Sequence, residues 1–118
     1  MNIEKIKKAL RKFSKNRDWD KFHSPKNLVM ALSVESGELV EIFQWLTEED
    51  SKLDNLNIHD LERVREEIAD ILIYLIRIAD KLDIDLDEAV KNKITLNEKK
   101  YPIKLSKGNS TKYNRRNT

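Results

Sequence analysis

Apolar residues at Ile3, Ile6, Leu10 and Phe13 recur three and four positions apart, the spacing that lines one face of a helix over roughly 2–15. The aromatic-rich stretch NRDWDKFH breaks this period. Ser24-Pro25 then reads as an N-cap followed by the first helical position. A second helix runs from there to about Leu46, with Leu28, Leu32, Leu39, Ile42, Phe43 and Leu46 as its expected core. Residues 47–59 are polar and without period, a loop. Asp60 is the expected cap of a third helix reaching about Leu82, striped by Leu61, Val64, Ile68, Ile71, Leu75 and Leu82. Asp85, with Glu88 three positions on, forms a capping-box variant that opens a fourth helix, and this ends before Pro102.

In the middle of the third helix, ILIYLI (71–76) is apolar around most of the circumference. Such a helix is covered on all sides, so the expectation is a central helix that also meets a second subunit. With only two glycines and two prolines in 118 residues, long stretches lack helix breakers, and the fold class expected is all-α, four antiparallel helices assembling as a dimer or a dimer of dimers. A domain this small has a thin core, which favours oligomers.

The absence of cysteine excludes disulfides, zinc–thiolate sites and thiol nucleophiles. No stretch matches a signal peptide or a membrane helix, so the expectation is a cytoplasmic protein without a membrane partner. The net charge of +2 is uneven. Lys104, Lys107, Lys112, Arg115 and Arg116 stand in an acid-free C-terminal stretch, which leaves the body weakly acidic. Such a body is a poor nucleic-acid surface, and no stable nucleic-acid complex is expected. Residues 106–118 read as a basic, disordered tail beyond a domain of residues 1–105.

The informative chemistry is a doubled acidic pair. Glu35 and Glu38 are i, i+3 on the second helix; Glu67 and Asp70 are i, i+3 on the third. Each pair lies on one face, and both interrupt apolar runs, ALSVESGELVEIF and EEIADILIYL. Packed antiparallel about 8–10 Å apart, the two helices would gather four carboxylates. A divalent cation relieves their repulsion, and an all-oxygen ligand set favours Mg²⁺, with Mn²⁺ as the substitute. Surface acids paired with lysines are the alternative.

Tyr74 follows Asp70 by one turn and Trp45 follows Glu38 by two, so both rings are expected beside the acids, with Trp19 in the connection as a third. Aromatic rings stack on bases; the competing reading makes them core. Lys93, Asn97 and Lys100 form one polar stripe on the fourth helix, followed by Tyr101, and suit phosphate oxygens or simply a solvated face. Gly37 inside a helix points to close approach of another helix or of a phosphate. His23 reads as packing or hydrogen-bonding in the connection, and His59 as an exposed loop residue. No Ser–His or Cys–His pair offers a covalent route.

ESGE (35–38) and EIAD (67–70) reproduce the E-x-x-E, spacer, E-x-x-D pattern of the MazG-like nucleoside triphosphate pyrophosphohydrolases. With RDWDKFHSPKNL (17–28), SGELVEIFQW (36–45), EEIADILIYL (66–75) and KITLNEKKYP (93–102), the chain resembles the dCTP pyrophosphatase branch over roughly residues 3–107. The resemblance implies magnesium at Glu35, Glu38, Glu67 and Asp70, a base pocket including Trp19, Trp45 and Tyr74, and phosphate contacts from Lys93, Asn97, Lys100 and Tyr101. It also implies a tetramer built from dimers. Two departures stand out: Leu10 occupies the place of a base-lining histidine, and Lys99-Lys100 replaces a stretch where arginine is common.

The expected reaction is attack of water on the α-phosphorus of a nucleoside triphosphate, with Glu38 or Glu41 orienting or deprotonating the water and pyrophosphate leaving. The substrates expected are dCTP and modified or non-standard pyrimidine nucleotides. A helical nucleotide-sensing or interaction module without turnover is the alternative.

Overall fold

The computed structural model describes residues 1–108, and its regular secondary structure there is all helical. Five helices follow in order: α1 (Ile3–Asn16), α2 (Pro25–Phe43), α3 (Ile58–Lys81), α4 (Leu86–Lys100) and the short α5 (Ile103–Ser106), with one 3₁₀ turn at Asp20–Phe22. No described helix is long and apolar enough to cross a membrane. Most of the tail lies outside the described residues.

Caps explain the boundaries. The Ser24 Oγ accepts from the Asn27 N–H at 3.2 Å, with Pro25 at the first position, as expected. The Asp85 side chain accepts from the Glu88 N–H at 3.1 Å. The third helix begins earlier than its expected Asp60 cap. The Asn57 Oδ1 accepts from the Asp60 N–H at 2.8 Å, and its Nδ2 returns a bond to the Asp60 carboxylate at 3.1 Å. Asn57 and Asp60 are both good caps, and the upstream one wins because its partner completes a reciprocal pair.

Helices α1 and α3 stop without glycine. The Trp19 N–H donates to the Ser14 carbonyl at 2.9 Å and the Asp18 N–H to the Lys15 carbonyl at 3.1 Å, while Asp18 takes φ +54°. The Ile84 N–H reaches the Ala79 carbonyl and Asp83 takes φ +54° in the same way. Both ends are Schellman motifs with aspartate in the left-handed position.

The residues divide into two compact units, Met1–Ile84 and a second beginning at Asp85. In the first, α1 and α2 pack on α3. Leu28, Ile42, Val64, Ile76 and Ala79 are its buried apolar residues. The expected α3 stripe holds only in part: Val64 is buried and Leu61 and Ile71 are half-buried, whereas Ile68, Leu75 and Leu82 are exposed. The run ILIYLI is apolar all round, so spacing alone could not decide which side faces α2. Ile76 packs inward while Ile73 and Leu75 stay exposed. Phe13 is likewise exposed, while Lys7 and Ser14 of α1 are buried. In the second unit α4 buries no residue fully.

Candidate active site

Two packed helices bring the acids together. Glu35 and Glu38 from α2 and Glu67 from α3 each offer a carboxylate oxygen within 4.8 Å of the others. The Oε2 atoms of Glu35 and Glu67 are buried and have no hydrogen-bond partner among the described residues. Asp70, one turn after Glu67, lies outside this tight trio but lines the same cavity as Glu35. Glu41 is exposed, a turn beyond Glu38.

Glu35 is pushed up to about 7, first by a hydrogen bond to Glu67 that only a protonated carboxyl can give, then by burial and the charges of Glu38, Glu67 and Asp70. Orphaned acceptors and crowded negative charge are the conditions that a divalent cation relieves, and the oxygen-only donor set suits Mg²⁺ or Mn²⁺. The residues present therefore fit such an ion.

Beside the acids is a cavity of about 410 Å³, within the range of small-molecule sites. Glu35 and Asp70 line one part; Phe13, Trp19 and Tyr74 supply aromatic walls; Ser14, His23 and Arg77 supply further polar groups. Trp19 meets Phe13 edge-on at 5.6 Å and His23 at 6.3 Å between ring centroids. Burial raises the Tyr74 hydroxyl, helped by Glu35, Asp70 and Glu38, which keeps it a hydrogen-bond donor at neutral pH. Leu10 stands in the same wall.

Helical phase places Tyr74 with the acids, but it does not place Trp45. Helix α2 ends at Phe43 rather than near Leu46, so Trp45 sits in the following turn, 88% exposed and outside the cavity wall. Counting two turns from Glu38 fails because the helix has already ended. Lys93, Asn97 and Lys100 keep their i, i+4, i+7 stripe on α4, and Tyr101 is its C-cap residue, its N–H donating to the Asn97 carbonyl at 2.8 Å. All four belong to the second unit. A Cβ built on Gly37 meets nothing within 4 Å, so among the described residues of the first unit no helix makes the close approach expected there.

Sequence reasoning missed Arg77. Its guanidinium Nη2 lies 2.8 Å from the Asp20 Oδ1 and 3.2 Å from the His23 Nδ1. Asp20 is held below its usual range, chiefly by that hydrogen bond. The available signal was a cation interrupting the apolar run ILIYLIRIA, seven residues after Asp70. The absence of a Ser–His pair also needs correction: the Ser14 Oγ lies 3.4 Å from the His23 Nδ1. The Arg77 guanidinium shares that same nitrogen and can only donate, so the Nδ1 lone pair is already engaged and does not activate Ser14. His23 bears out its reading as a hydrogen-bonding residue of the connection.

The MazG-like family model matches residues 30–115. The chain belongs to the MazG-like family. Within it the resemblance is to the dCTP pyrophosphatase branch: dCTP pyrophosphatase 1 of Bos taurus is 40% identical over 111 residues, covering 94% of this chain and 66% of that protein. The Homo sapiens protein of the same name is 38% identical, covering 94% and 65%. The chain thus spans just under two thirds of the mammalian proteins' length. The crystal structure of a pyrophosphatase from Archaeoglobus fulgidus DSM 4304 superposes with a TM-score of 0.77 at 45% identity, covering 84% of this chain and 91% of that one. Among its described residues this MazG-like chain has helices and no strand, as its sequence period leads one to expect.

Proposed function

We propose that this protein is a Mg²⁺-dependent nucleoside triphosphate pyrophosphohydrolase, converting a (d)NTP and water to the (d)NMP and pyrophosphate. The substrates are dCTP and modified or non-standard pyrimidine nucleotides. The observation that carries this reading is the trio Glu35, Glu38 and Glu67, two of its oxygens buried and unpartnered, opening beside an aromatic-walled cavity. The names of the bovine and human relatives and of the archaeal structure support the same chemistry.

Glu35, Glu38, Glu67 and Asp70 would hold the cation, with Mn²⁺ as a substitute. When bound, it offsets triphosphate charge and polarises the α-phosphate. Trp19 and Tyr74 hold the base. Lys93, Asn97, Lys100 and Tyr101 serve the phosphate groups. Glu38, or Glu41 behind it, accepts the proton of the water that attacks the α-phosphorus as the bond to pyrophosphate breaks. Trp45 reaches no part of the cavity wall of its own chain; as a base contact it acts after movement of its turn or from a second subunit.

The domain of residues 1–105 acts as a homo-oligomer, dimer or tetramer. Met30, Val34 and Val40 of α2 and Ile68 and Leu75 of α3 are exposed apolar residues that a second copy would cover. Measuring pyrophosphate release with Mg²⁺ and with EDTA over a triphosphate panel, with products separated, tests the reading. Nucleotide binding without turnover would instead make the chain a sensing module.

A further inference from the structure

The Trp19 ring stands in the connection between α1 and α2, 44% exposed, and meets Phe13 and His23 only edge-on. So little packing does not by itself hold a ring in one place. The Trp19 N–H is tied back to the Ser14 carbonyl of α1, and the Trp19 carbonyl accepts from the Phe22 N–H at 2.9 Å, which opens the 3₁₀ turn. These bonds shape the connection. They do not register it against α3, the helix that carries Asp70 and Tyr74.

Arg77 supplies that register. It follows Tyr74 by one turn and Asp70 by two on the same face of α3. Its Nη2 donates to the Asp20 Oδ1 at 2.8 Å and to the His23 Nδ1 at 3.2 Å, the first residue of the 3₁₀ turn and its C-cap. Lys81 approaches the same Asp20 oxygen at 3.5 Å. On the other side, the Asp80 carboxylate lies 3.8 Å from the Arg77 Nη1 and accepts from the Arg11 Nε of α1 at 2.7 Å. Charges from α1, the connection and α3 thus form one series, Arg11–Asp80–Arg77–Asp20–Lys81. A guanidinium only 5% exposed is held to such partners because an unpaired buried charge is costly. Although Arg77 lines the cavity, its Nη groups face protein partners and its Nε is sealed in the wall. It acts on a ligand through what it holds.

We propose that Arg77 is a positioning residue: by clamping Asp20 and His23 it fixes the α1–α2 connection on α3 and holds the Trp19 ring in the cavity for stacking on a base. The inference rests on the reading that Trp19 and Tyr74 hold the base. Without the clamp, the connection must be ordered at each binding event, which weakens binding. The carboxylates on α2 and α3 stay in place, so the loss falls on KM and spares kcat.

The test measures kcat and KM of the full chain with Mg²⁺ and dCTP in the native protein, Arg77→Met, Asp20→Ala, Trp19→Ala and the double variant of Arg77→Met with Trp19→Ala. Fluorine NMR of the same proteins labelled with 5-fluorotryptophan, without nucleotide, follows the two rings. Arg77→Met and Asp20→Ala should each raise KM about fivefold or more, part of the value of a stack, with kcat nearly unchanged. Arg77→Met should add nothing in the Trp19→Ala background, because its effect travels through that ring. The Trp19 signal should move in both single variants, and that of Trp45, 88% exposed, should not. An Arg77 that only stabilised the fold would lower the active fraction, and with it the apparent kcat, at constant KM. That pattern, additive KM effects in the double variant, or an unmoved Trp19 signal overturns the inference and leaves the enzyme reading intact. Absence of pyrophosphate release from the native chain overturns the enzyme reading, and the Trp19 signal then decides the positioning role alone. If Arg77→Met does not fold, Asp20→Ala, whose lost side chain is half exposed, carries the same measurements alone and in the Trp19→Ala background.

Discussion

Glu35 and Glu67 meet between α2 and α3 with, among the described residues, a buried oxygen on each that no donor reaches, and a hydrogen bond between the two carboxyls raises Glu35. The metal-free chain therefore holds a proton that the unfolded chain would release. The folded pKa of Glu35, about 7, lies above its ordinary 4.5. Between these values the native state binds more protons than the unfolded one, so stability falls as pH rises through that window. In EDTA the melting temperature should decline from about pH 5 to about pH 7 through this group. Mg²⁺ competes with the same proton, so it should raise the melting temperature more at about pH 8 than at about pH 5.5. Thermal melts with EDTA and with excess Mg²⁺ check this; an equal Mg²⁺ effect at both values would contradict it.

Glu38→Gln and Asp70→Asn should abolish turnover and leave the helical circular dichroism intact. Each removes a negative charge from a repelling cluster, so the metal-free variants should melt no lower than the native chain. Loss of helicity in both would make these acids structural.

The two tryptophans should separate. Trp19 lines the cavity and packs against Phe13 and His23, whereas Trp45 stands 88% exposed. One lost stack costs about 1–3 kcal/mol, so Trp19→Ala should raise KM roughly ten- to a hundredfold. A larger effect from Trp45→Ala would mean that the base lies outside this cavity or that a second subunit carries Trp45 into it. Steady-state kinetics of both variants decides.

Charge on the open face of α3 should weaken assembly. Ile76 is a core residue of the single chain, so the informative substitution is Leu75→Glu, at a position exposed within one chain. Light scattering at micromolar concentration should show a lower mass for this variant than for the native oligomer, with its circular dichroism retained. A native monomer would contradict the oligomer reading.

The helices and the acidic trio were legible because period and spacing act locally. Ser24-Pro25 and Asp85-x-x-Glu88 mark their helix starts by side-chain chemistry alone. The glycine-free stops at Asp18 and Asp83 were not legible, because aspartate reaches φ +54° only when the Schellman bonds of the finished turn hold it there. Trp45 was misplaced by extending a helical count past Phe43. Arg77 was overlooked because its partners, Asp20 and His23, lie more than fifty residues upstream, and only folding brings them to it. The same cue that revealed the acids, a charge inside an apolar run, also marked Arg77.

The most direct measurement of the central claim is product analysis of dCTP, dUTP and dTTP incubated with the native chain in Mg²⁺ and in EDTA. The expected result is monophosphate and pyrophosphate in equal amounts with Mg²⁺ and none in EDTA. Diphosphate and orthophosphate as products, or turnover that survives EDTA, would contradict a carboxylate-held cation acting at the α-phosphorus.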